Sequence, residues 1–179
     1  MARTCEQKIK DAFLRVLEHT RLDDMTIVEV VGKAAVSRST FYLRFGSLAN
    51  LYDALVTDML MQTSPITMQI DCSDCKKDSL QNSSKPFCEL VRNSGKYAPL
   101  VKEDRFLATV LRITDIIDGA SIVQEGMQHG LDYQQAYALH VFQMSGCFAA
   151  SVMSKTSDAD WPRVKQAIDA FISAGINNT

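Results

Sequence analysis

Thr26-Ile27-Val28-Glu29-Val30-Val31-Gly32-Lys33-Ala34-Ala35-Val36-Ser37-Arg38-Ser39-Thr40-Phe41-Tyr42-Leu43-Arg44-Phe45 is the stretch on which the reading of this chain turns. Thr26 followed three residues on by Glu29 is a capping box, so a helix is expected from Ile27. That helix places Ile27, Val30 and Val31 on one side and runs to about Ala34. It is too short to be stable alone and must pack on neighbours. After a tight turn at Ala35-Val36, Ser37 is placed to cap a further short helix through Phe45, and Gly46 stops it.

Outward from this core the pattern stays helical. On the N-terminal side, Thr4 and Gln7 form another Thr-x-x-Gln signal. Ile9, Ala12, Phe13, Val16 and Leu17 follow at helical spacing, which predicts an amphipathic helix ending near Thr20. On the C-terminal side, Ser47 is expected to cap a helix carrying Leu48, Leu51, Leu55 and Met59. Residues 66–85 are polar and irregular, and they hold Cys72 and Cys75. Helical signals resume after Pro86, with Gly95 and Pro99 marking a connection. Phe106 to Ile117, Leu131 to Met153 and Trp161 to Ala174 complete the pattern. The expected class is all-α. Residues 1–46 are expected to form a helix-turn-helix domain, and residues 47–179 a second helical domain.

In a helix-turn-helix layout the second helix enters the major groove and its side chains reach base edges. Phe41 and Phe45, four apart, are expected to face inward together. Ser37, Arg38 and Thr40 then fall near the opposite side, with Ser39 beside them. Arg38 is the candidate for a bidentate contact to guanine. The hydroxyls suit bases or phosphates, Tyr42 and Arg44 are placed for the backbone, and Leu43 belongs to the same DNA-facing set.

From Lys8 to Leu55 the chain resembles the tetracycline-repressor (TetR) family of transcriptional regulators. The resemblance rests on Met25 to Val31, on Ala34 to Phe45 and on Leu51-Tyr52. It implies phosphate contacts at Tyr42 and Arg44, and at Thr26 a cap that also touches phosphate. It further implies that residues 47–179 form a helical effector-binding and dimerisation domain whose last two long helices, at 131–153 and 161–174, pair with a second copy. Gly146, Ala149, Ala150 and Ser151 would allow close helix approach there, with Phe142, Phe148, Trp161 and Phe171 supplying area; intradomain core is the other reading of these residues. The chain departs from the family at Ala35 and Ser39, where glycine is usual, and at Leu48, where lysine is frequent. Leu48 cannot meet a phosphate, so one fewer charge contact per subunit is expected.

Charge is permissive. The chain carries 19 basic and 21 acidic residues, a formal net charge of −2. Residues 1–50 hold eight of the basic and six of the acidic ones, so the N-terminal end is the mildly basic one. No apolar run approaches the roughly 18–20 residues that span a bilayer, and charges interrupt any signal-peptide core near the start. A cytoplasmic location and reduced thiols are the expectation for the five cysteines.

Within the C-terminal part, Phe106, Val110, Arg112, Met127, His140 and Met144 are candidates for lining a site for a small-molecule effector of unknown class; ordinary core packing is the competing reading of each. Cys72-x-x-Cys75, with Cys88 thirteen residues on, reads as solvent-facing thiols, as half a metal site or as a redox pair. No metal and no cofactor is expected. No Gly-x-Ser-x-Gly, phosphate-cradling glycine loop or His-Glu-x-x-His occurs, so no enzyme is expected. The function expected is therefore a homodimeric repressor on a palindromic site in double-stranded DNA, released by its effector, with no membrane partner. A TetR-like interaction protein acting through another regulator, or a thiol-based sensor using Cys72 and Cys75, are the alternatives.

Overall fold

The computed structural model describes residues 4–61 and 86–176. Among them every regular element is helical and no strand occurs. The helices are α1 (Cys5–Leu17), α2 (Ile27–Ala34), α3 (Arg38–Arg44), α4 (Leu48–Leu60), α5 (Phe87–Arg92), α6 (Ala98–Val101), α7 (Phe106–Gln128), α8 (Tyr133–Val152) and α9 (Trp161–Ile176). Short 3-10 turns occupy Leu22–Asp24 and Gly95–Tyr97. None of these helices is long and apolar enough to cross a membrane.

The capping pattern explains where several helices begin. Thr26 accepts from the Glu29 amide at 3.3 Å, and the Glu29 carboxylate accepts from the Thr26 amide at 2.8 Å, a complete reciprocal box. Asp132 and Gln135 form a second one ahead of α8. Thr4 achieves only half of this. Its hydroxyl accepts from the Gln7 amide, but the Gln7 side chain turns forward and donates its Nε2 to the Asp11 carboxylate at 2.8 Å.

The chain divides into two compact units. The first comprises Met1–Met59 with Ser94–Val110, the second Leu60–Asn93 with Leu111–Thr179. The expected cut after residue 46 does not coincide with this division, and the packing shows why. The core of the first unit takes Ile9, Phe13 and Val16 from α1, Val30 and Val31 from α2, Phe41 from α3 and Leu51, Leu55 and Val56 from α4, all buried. Leu100, Phe106 and Val110, also fully buried, come from the later stretch. Tyr52 ties the two stretches together by donating its phenol to the Leu100 carbonyl at 3.0 Å. Burial pushes that phenol's pKa up, so it stays a donor.

On the surface of the same unit, charged groups clip the later stretch to the link after α1. Arg21 meets Asp104, Arg105 meets Asp23 at 3.0 Å, and the Leu22 amide donates to Glu103. Solvent screening leaves each exposed pair a small contribution. Lys10 is the more enclosed cation, bridging Glu6 at 2.7 Å and Asp58 at 2.9 Å. Burial lowers its pKa, and the two carboxylates more than offset this, leaving the ammonium above its ordinary value.

In the second unit α5 packs on α8. Trp161, at the start of α9, is buried. Its indole donates to Glu89 on α5 at 2.7 Å, and Arg92 lies 4.8 Å from its ring centroid. Arg92 also donates to the Thr156 carbonyl and to Asp158. Trp161 is thus committed inside its own unit, which corrects the expectation that it supplies area to a partner chain. Ser151 is likewise buried, its hydroxyl donating to the Cys147 carbonyl at 2.6 Å.

Candidate nucleic-acid interface

The α2–α3 corner is shaped by one unusual backbone residue. Ala35 has φ 54° and ψ 49°, the only non-glycine residue with positive φ among the described residues. This left-handed step ends α2 and, with Val36, turns the chain into Ser37. The Ser37 hydroxyl then accepts from the Thr40 amide at 3.1 Å and starts α3. At the other end Gly46 takes φ 75°, and Asn50 donates its side-chain amide to the Phe45 carbonyl at 2.9 Å, fixing the corner between α3 and α4. Asn50 was not among the sequence candidates, because a side chain reaching back five residues leaves no periodic signal.

Phe41 anchors α3. It is fully buried, with Tyr42 edge-on to its ring at 5.8 Å and Phe45 tilted against it at 6.0 Å. At about 100° per residue the direction opposite Phe41 falls between Ser39 and Leu43. Burial agrees: Leu43 is 82% exposed and Ser39 is exposed. Arg38 and Tyr42 flank this ridge on one side, Thr40 and Arg44 on the other. Among the described residues neither arginine is paired with a carboxylate, and the charge of Arg44 reaches only weakly to Glu6. The ridge is therefore centred on Ser39 and Leu43, one step round from the centre that Ser37, Arg38 and Thr40 suggested in the sequence.

The hydroxyls are already engaged with one another. Ser37 lies 2.8 Å from the hydroxyls of both Ser39 and Thr40. Thr26, exposed at the start of α2, donates its hydroxyl proton to Glu29 at 2.7 Å. A phosphate bound through Thr26 must take over that proton. Hydrogen bonds from the Thr26 side chain and amide hold the Glu29 carboxyl below its usual pKa.

The effector-site candidates do not form one cluster within either unit. Phe106 and Val110 are buried in the first unit, while Arg112, Met127, His140 and Met144 belong to the second. Of these four, His140 and Met144 are buried one turn apart on α8, and Arg112 and Met127 are exposed. His140 is 4% exposed and its Nε2 has no hydrogen-bond partner among the described residues. Burial lowers its pKa, opposed by the charge of Asp115. Cys72 and Cys75 lie outside the described residues, and Cys88 is buried on α5. No family model, curated protein or solved structure matches the chain.

Proposed function

We propose that this protein is a TetR-type transcriptional regulator that binds double-stranded DNA through a helix-turn-helix formed by α2 and α3. One observation carries the reading: α3 is held from behind by buried Phe41 and presents Arg38, Ser39, Tyr42, Leu43 and Arg44 to solvent on its remaining surface. A short helix so mounted has the size and chemistry to lie in a major groove. Lys33, Arg38 and Arg44 stand against Glu29 alone between residues 26 and 50, and Glu29 is drawn into its cap.

In this reading two copies pair through residues 131–153 and 161–174 and set their reading heads on a palindrome. Exposed Phe142 on α8 and Phe171 on α9 support a contact of that kind, since large apolar side chains left in water gain by meeting a second surface. A small-molecule effector preferring one arrangement of the heads releases the DNA, which makes the protein a repressor. In this reading His140, buried beside Met144 on α8, is a candidate contact for that effector.

Fluorescence anisotropy with the full chain and a randomised duplex pool tests the proposal. Salt-sensitive binding that enriches a two-fold symmetric sequence is expected. Absence of binding to any duplex at low salt overturns it.

A further inference from the structure

A leucine is an unexpected residue at the crest of a helix otherwise furnished with hydroxyl, phenol and guanidinium groups. Leu43 lies one turn from Ser39, directly away from the Phe41 anchor, and four-fifths of its surface is in water. It packs no core, and it supplies no donor or acceptor. Its flanks are Arg38 on one side and Arg44 on the other, both cationic and both exposed. This charge setting favours a polyanion over an apolar protein groove as the occupant of the ridge.

We propose that Leu43 is a specificity-determining residue that reads thymine through its 5-methyl group. The inference rests on the DNA-binding reading above. In the major groove, adenine, guanine and cytosine present only donors and acceptors at their edges, and thymine alone adds an apolar group. A leucine pressed against cytosine or a purine edge strips water from polar atoms and returns no hydrogen bond. Against thymine it buries methyl on methyl. Ser39, one turn before it, shares its hydroxyl with Ser37, and Leu43 is the apolar group at the centre of the ridge.

The test removes the methyl from the DNA and the leucine from the protein, separately and together. A preferred duplex is selected from a random pool with the full chain, and each thymine of one half-site is replaced singly by deoxyuridine. At one position the wild-type protein is expected to lose about fourfold in affinity, the worth of one buried methyl. Leu43→Ala is expected to bind the thymine duplex several-fold more weakly and to be indifferent to uracil at that position, while keeping its response elsewhere. Its thermal midpoint is expected to match the wild type, since the side chain faces water. If the wild type ignores every methyl, or if Leu43→Ala keeps the full methyl response everywhere, the inference is overturned while DNA binding stands. If the chain binds no duplex at all, the regulator reading fails first.

Discussion

The Trp161 indole donates a 2.7 Å hydrogen bond to the carboxylate of Glu89, joining the start of α9 to α5 across 72 residues of chain. Arg92, one turn after Glu89, covers the same ring and reaches past it to the Thr156 carbonyl at 2.7 Å. Its partner Asp158 is almost fully exposed and contributes little. The carbonyl bond and the ring contact are the enclosed part of the interaction.

Arg92→Ala is accordingly expected to destabilise the second unit by about 1.5–3 kcal/mol, the range for a hydrogen bond from a charged donor together with lost packing. Trp161 is the chain's single tryptophan, so its emission follows this unit alone. Urea unfolding followed by that emission checks the prediction, and an unchanged midpoint refutes it.

Ala35 is held in a left-handed conformation that disfavours any residue with a β-carbon by roughly 1–2 kcal/mol. Glycine relieves this and gives part back through a freer unfolded chain. Ala35→Gly should therefore raise stability by about 1 kcal/mol, visible as a rise of several degrees in the thermal midpoint of the first unit. A fall in midpoint would mean that the turn is not strained in solution.

The second unit should lose stability in mild acid. The folded state holds the His140 pKa below the value of 6.5 it has when free, because burial disfavours the imidazolium. The unfolded chain then binds more protons as pH falls through 6.5, so stability is complete above that pH and declines below it. Thermal unfolding between pH 7.5 and 5.5 reports the slope. His140→Leu is expected to flatten it; an identical slope in the variant would assign the effect to another group.

On the proposal that α3 reads DNA, Arg38→Ala and Tyr42→Phe should weaken binding in different ways. Arg38 lies beside the ridge, and losing a bidentate base contact costs about 1–3 kcal/mol at a single base position. Losing a phosphate contact at Tyr42 lowers affinity for every sequence alike. Binding of each variant to a set of singly substituted duplexes separates the two patterns.

Much of the first unit was legible because local chemistry decides it. The Thr26–Glu29 box and the Ser37 cap read directly from residue type and spacing, and α2 begins and ends where they indicate. What stayed hidden depends on residues far apart in sequence. Nothing local shows that Tyr52 donates to Leu100, that Arg21 and Arg105 exchange partners with Asp104 and Asp23, or that Trp161 is spent on Glu89. The helix phase of α3 was knowable from Phe41 alone: it puts Leu43, already in the DNA-facing set, at the centre, where polar residue type had put Arg38. Pro99 marked a break in the pattern, whereas the structure uses it in the first turn of α6, where a missing amide proton costs nothing.

The discontinuity of the first unit bears on how the protein is made. Leu100, Phe106 and Val110 fill a core whose other walls are translated before residue 60. A nascent chain leaving the ribosome therefore holds α1 to α4 with an open apolar side until those later residues emerge. During that interval the half-built unit needs shelter, and a gene fragment ending after α4 should yield aggregate in place of a folded first unit.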